Sequence, residues 1–276
     1  MKHHCGIPST DNNRSHPMKL NELNPYTFKA LHHSLGHDRQ RDTRPMWQAR
    51  LSADSDFCRA MVGCGYLTRE QMERAARRYR LGRSRDGGVI FWQIDRLGQV
   101  FDGKIMHYMA DGHRDHQRKP FWVSSSLKRH YLKDNMQLAA EIPSCHCLFG
   151  THLLSGTEMK RPPLTPPVGG GKAVAVVEAE KTAVIMSEHY PGFLWLAAGG
   201  LHELTAPKLF PLRGHRIILF PDTDTDGEAF KTWYRVTQEA QHLLGQTIHL
   251  SPLLEQHATL SQKQRKIDIV DFLFGS

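Results

Sequence analysis

Ala173-Val-Ala-Val-Val-Glu178-Ala-Glu180-Lys181-Thr-Ala183 and, further on, Arg216-Ile-Ile-Leu-Phe-Pro-Asp222-Thr-Asp224-Thr-Asp226-Gly227 decide the fold. In each, a short run of apolar, β-favouring residues (173–177 and 217–220) ends in carboxylates and then opens a helix-like segment. Short apolar runs bounded by turn residues read as buried parallel strands. Open parallel sheets gather their reactive groups at the carboxyl ends of such strands. The sequence therefore puts acidic side chains where this class of fold does chemistry.

The surrounding chain agrees. After strand 173–177 a helix is expected over 181–189, a strand over 193–197, a loop with Gly199 and Gly200, and a short helix. Strand 216–220, a long helix over 227–244 and a strand over 247–250 complete the alternation, and a last helix is expected near Lys266 to Leu273. Strands alternating with helices at this spacing mean a parallel sheet with right-handed crossovers. Upstream, 158–171 is rich in Pro and Gly and reads as a linker. Gly169-Gly-Gly-Lys172 is not a phosphate loop, because its glycines precede a strand instead of following one.

Residues 56–157 predict a smaller α+β domain. Thr68-Arg-Glu-Gln71 is a capping-box pattern opening a helix to about Arg80. Runs 89–94 and 99–108 predict a β-hairpin, 121–123 a third strand and 127–138 a helix. Basic residues are interleaved with aromatics here, and Arg77, Arg78, Arg83, Arg85, Lys104, Arg118 and Lys119 are the candidate nucleic-acid contacts. The polar segment 1–55 is expected to be a disordered arm.

The chain has 276 residues, a net charge of +8 and 18 His, which favours a polyanionic partner. No apolar run approaches membrane-spanning length. Five irregularly spaced cysteines argue against a disulfide framework, which makes the cytoplasm the expected compartment. Neither Cys145-His-Cys147 nor the pair Cys58 and Cys64 has zinc-ribbon spacing, so buried or incidental thiols are expected.

Asp222 and Asp224 lie two residues apart on an extended segment and point the same way. Hard carboxylate oxygens suit Mg²⁺ or Mn²⁺, so Glu178, Asp222, Asp224 and Asp226 are the candidate metal ligands. Glu178 is also a candidate general acid/base, and Lys181 is placed to meet phosphate. A helix cap accounts for one carboxylate. A calcium loop is excluded, because its twelfth position is Trp233. An Asp-x-Asp phosphatase and a nucleotide-sugar site remain alternatives.

Val177-Glu-Ala-Glu-Lys-Thr-Ala183 and Phe220-Pro-Asp-Thr-Asp-Thr-Asp-Gly227 resemble the two acidic signatures of the toprim domain of bacterial primases, topoisomerases and small nucleases. Ala179 and Thr182 stand where that family has Gly and Asp. Lys266-Ile-Asp268 to Asp271 resembles the Lys-Asp tail of primase-type toprims. Phe91 to Asp95, Gly103 to Tyr108 and Leu148-Phe-Gly150 are similar to a primase-like family of unknown function carried by mobile elements. The resemblance implies a toprim-like parallel sheet flanked by helices over 172–276, with Glu178 catalytic and Asp222 and Asp224 binding the metal; Lys181, near the helix start, is the second candidate catalytic residue. It implies Mg²⁺- or Mn²⁺-dependent primer synthesis from nucleoside triphosphates on single-stranded DNA, beside a separate replicative helicase. A toprim nuclease and a nucleic-acid-binding accessory protein with a vestigial acidic site are the alternatives.

Overall fold

A computed structural model describes residues 47–131, 146–156 and 172–275. The expectations for residues 1–46, for Cys145, for the linker and for the end of the helix expected to reach Leu138 fall outside these residues.

The described structure begins at Trp47, ahead of the expected boundary at Asp56. Trp47 packs edge-on against Trp92 (centroids 6.4 Å apart), and this contact anchors the segment. Leu51 then bridges Gly82, and Ser52 N–H donates to Leu81 C=O. Helix α1 (Asp56–Gly63) is capped by Ser55, whose hydroxyl accepts from Cys58 N–H, and it buries Phe57 and Met61. Helix α2 (Arg69–Tyr79) carries the expected capping box between Thr68 and Gln71.

Four antiparallel strands follow in the order β1 (Gly82–Arg83), β2 (Val89–Ile94), β3 (Val100–Met106) and β4 (Phe121–Trp122). Because side chains alternate along a strand, this sheet has two distinct faces. Val89, Phe91 and Met106 join the main core, whereas Ile90, Trp92 and Ile94 form a separate cluster with Val123 and Trp47. Helix α3 (Val123–Tyr131) leads away from β4.

The second half is a four-stranded parallel sheet of β5 (Ala173–Val177), β6 (Phe193–Ala197), β7 (Ile217–Phe220) and β8 (Ile248–Leu250), in the order β6-β5-β7-β8. Helix α4 (Glu180–His189) connects β5 to β6, α5 (Ala206–Leu209) lies between β6 and β7, and α6 (Glu228–Leu244) connects β7 to β8. The alternation of β5 sorts the two faces. Ala175 and Val177 pack with Ala183 and Ile185 of α4, while Val174 and Val176 pack with Trp233, Ala240 and Leu244 of α6. Short helices α7 (Leu253–His257) and α8 (Leu260–Gln264) precede α9 (Ile269–Phe274), the expected last helix.

The two halves share one hydrophobic core that runs from α1 and α2 into β5, β6, α4 and α9. Phe149 is the joint. Its backbone pairs with Ala197 on the edge of β6, and its ring stacks on Tyr79 at 5.0 Å and meets Phe91 edge-on. The buried Tyr79 hydroxyl sits between the carbonyls of Ala183 and Trp195.

Candidate active site

The connection from β5 runs over one face of the parallel sheet and the connection from β7 over the other, so β5 and β7 diverge at their carboxyl ends. Such a switch point leaves a crevice where open α/β sheets bind ligands. Val177 pairs with Phe220 across it, which sets Glu178 beside the Pro221-Asp222 peptide. Asp222 N–H donates to Glu178 Oε1 at 3.3 Å. Glu178 is 8% exposed. Burial, with the charges of Asp224 and Asp268 nearby, pushes its carboxyl up to about 7 despite the Asp222 N–H. Burial and the charges of Glu178 and Asp268 likewise hold the Asp222 carboxyl well above its ordinary range.

Asp224 lies near enough for its charge to act on Glu178, but its oxygens are turned to backbone donors, and Asp226 lies in the exposed turn. The Asp224 carboxylate accepts from the N–H groups of Asp226 (2.9 Å), Glu228 (2.9 Å) and Ala229 (2.8 Å), capping α6. Burial raises its pKa, but those three donors outweigh it and hold the group below the usual range. Asp226 is exposed in the turn, and its carbonyl accepts from Lys231. Asp224→Ala is therefore expected to cost about 1–2 kcal/mol of stability as a lost cap, whereas Asp226→Ala should stay within about 0.5 kcal/mol. Urea denaturation measures both, and equal costs would show that Asp224 is no cap.

The cluster gains a member that the strand–helix pattern could not show. Asp268 caps α9 through Asp271 N–H, and Thr182 at the start of α4 donates its hydroxyl to the other Asp268 oxygen. Burial and the Asp271 charge raise the Asp268 pKa, which Lys181 and the Thr182 hydroxyl oppose. The Lys181 charge acts on Asp222 as well, and its ammonium lies over the Tyr66 ring, 5.6 Å from the centroid. The site is thus a nest of carboxylates with one lysine on its border. Its only sequence signal is the Lys-Asp tail, since Thr182 and Asp268 lie 86 positions apart. Among the described residues, no three His, Cys, Asp or Glu side chains converge as a closed metal site.

The basic candidates separate into three groups. Lys104 is a correction. It projects from the inner face of its sheet, and its ammonium reaches Glu180 (3.2 Å) and Gly199 C=O (2.7 Å), with only 10% of the side chain exposed. Arg77 and Arg78 lie on α2, paired with Glu73 and Glu188. Arg85, Arg118 and Lys119 line a trough on the outer side together with Arg50, which the sequence pattern passes over, whereas Arg83 lines only the adjoining hollow and lies 3.4 Å from Asp54. Burial pushes the Cys147 thiol up to about 12 and also raises that of Cys58, as expected of inert buried thiols.

A family model described as a domain of unknown function (DUF6371) matches residues 55–223, more than half of the chain. The chain belongs to the DUF6371 family. The matched region spans the first sheet, the shared core apart from α9, and β5 to β7, so it contains Glu178 and Asp222 and stops before Asp224. A search of curated proteins finds no significant match. Among the described residues, no helix is long and apolar enough to cross a membrane.

Proposed function

We propose that this DUF6371 protein is a toprim-type enzyme that carries out divalent-cation-dependent nucleotidyl transfer on nucleic acid, in the manner of a primase serving a mobile element. The observation that carries this reading is the pairing of two charge-disfavoured carboxylates, Glu178 and Asp222, at the switch point of a parallel sheet. Like charges brought together without neutralisation raise one another's pKa and mark sites built to receive a cation or a proton.

The donor chemistry fits Mg²⁺ or Mn²⁺. These ions take hard oxygen ligands, and Mg²⁺ keeps several waters while bound through one or two carboxylates and substrate phosphates. Glu178 and Asp222 would hold such an ion without a third protein ligand. It would supply Lewis-acid polarisation of a phosphoryl oxygen. With no cation on it, Glu178, with a pKa near 7, can accept a proton from an attacking hydroxyl at neutral pH, whereas a cation held by its carboxylate would lower that pKa. Lys181 provides a fixed positive charge beside the cluster for phosphate oxygens. Thr182 and Asp271 hold Asp268 in position against the other carboxylates. Single-stranded DNA and nucleoside triphosphates are the proposed substrates, with a separate helicase opening the duplex.

Incorporation of labelled nucleotide on single-stranded DNA with Mg²⁺ or Mn²⁺ tests the reading. Glu178→Gln and Asp222→Asn should each reduce turnover at least about 100-fold while remaining folded. Strand shortening in place of extension would convert the reading to a nuclease. Absence of any wild-type turnover, with intact DNA binding, would reduce the protein to a binding module.

A further inference from the structure

We propose that the outer face of the β1–β4 sheet carries a track for single-stranded nucleic acid, on the side of that sheet turned away from the carboxylate cluster. The inner face is committed to the core and to the Lys104–Glu180 pair. The outer face carries a cleft of about 600 Å³ with an apolar floor of Ile90, Ile105 and Phe121. This cleft adjoins a second hollow of about 500 Å³, and the two share Arg50, Ser84 and Arg85.

Charge selects the occupant. Arg50, Arg85 and Lys119 line the trough, and no carboxylate among the described residues pairs with any of them. Arg118 sits on His107 Nδ1 at 2.7 Å and lies 3.9 Å from Asp86, the acidic residue of the lining. Asp86 itself is engaged by the Ser84 hydroxyl and by His107 Nε2 at 3.2 Å. On α2, by contrast, Arg74 and Arg78 share Glu188, and Arg77 lies 3.7 Å from Glu73. Uncompensated cations along a groove repel one another, and a polyanion relieves that repulsion. An apolar floor beneath the charges suits a strand whose bases are free to turn inward, because a duplex keeps its base faces stacked against one another. Phe121, half-buried with the Arg129 guanidinium 5.6 Å from its ring centroid, is the aromatic edge available to a base.

The track rests on the reading that the protein acts on nucleic acid, and its test separates the two. Fluorescence anisotropy with a labelled oligothymidylate is measured across a salt series for the full chain. The variant Arg50→Ala/Arg85→Ala/Lys119→Ala should bind at least about 10-fold more weakly, and its log Kd–log salt slope should be shallower by about 2. Arg235→Ala, at an exposed arginine of α6 that lies 3.8 Å from Glu228, should bind like the wild type. Arg85→Glu, a single change at an exposed side chain, provides a second readout if the triple variant melts early, and it should also weaken binding. Wild-type affinity in these variants overturns the track. So does displacement of the oligonucleotide by ATP as readily as by unlabelled strand, which would make the trough a nucleotide site. If the trough variants lose binding while the wild type makes no product, the track stands and the catalytic reading fails. If product forms and the variants bind and synthesise normally, the track alone fails.

Discussion

Glu178→Gln is expected to stabilise the folded protein at pH 8 by on the order of 3 kcal/mol while removing its turnover. The buried carboxyl titrates near 7 in the folded state, against an ordinary value of 4.5. Between those values the native state holds a proton that the unfolded chain has released, so stability rises as pH falls through 7 and levels off below about 4.5. Above pH 7 the ionised Glu178 lies against Asp222 and Asp268 at a standing cost. Glutamine removes that charge, and its amide oxygen can still accept the Asp222 N–H. The gain should therefore be largest in alkaline buffer and vanish towards pH 4.5, as read from thermal and urea melts across pH. Mg²⁺ should raise the wild-type melting temperature at pH 8 and leave that of the glutamine variant nearly unchanged. Equal stability of the two proteins at pH 8 would show that the pair is solvated and under no electrostatic load.

Lys104→Met should destabilise the protein by about 3–5 kcal/mol, because it leaves Glu180 ionised and unpaired in the core. Glu180 is 2% exposed, and Lys104 Nζ is its cationic partner across the junction between the two halves. Adding Glu180→Gln should recover most of the loss. The new amide removes the buried charge and lies beside Gly199, where an added Cβ would sit 3.3 Å from Glu180 Oε1. Denaturant melts of the two single variants and the double variant give the coupling. A Lys104→Met protein as stable as the wild type would mean that water reaches the pair. The salt dependence of DNA binding should not change in Lys104→Met, since this ammonium does not face solvent.

Much of the parallel half is legible because its signals are local. Each of the runs 173–177 and 217–220 is a complete strand with its own terminating carboxylate. The alternation with α4 and α6 forces those ends to a common edge. Helix α1 was not legible. Eight residues are marginal as an isolated helix, and α1 exists because Phe57 and Met61 enter a core built mostly from later sequence. The segment 47–55 likewise takes its order from Trp92, a residue it meets only on folding.

For the site, the sequence by itself determined that Glu178 and Asp222 stand at the carboxyl ends of two parallel strands, because the hydrophobic runs are enough to place them; that the two strands are neighbours is set by the sheet order. Tertiary structure decided what each remaining charge does. Asp224 turned into α6 as a cap, Asp268 arrived from the last helix to meet Thr182, and Lys104 went inward to Glu180. Arg50, Arg85 and Lys119 were left lining an outer trough. A charged residue type carries no record of its partner. The partner is chosen by contacts between residues far apart in the chain, and by which face of a strand is buried once the two halves close on a common core.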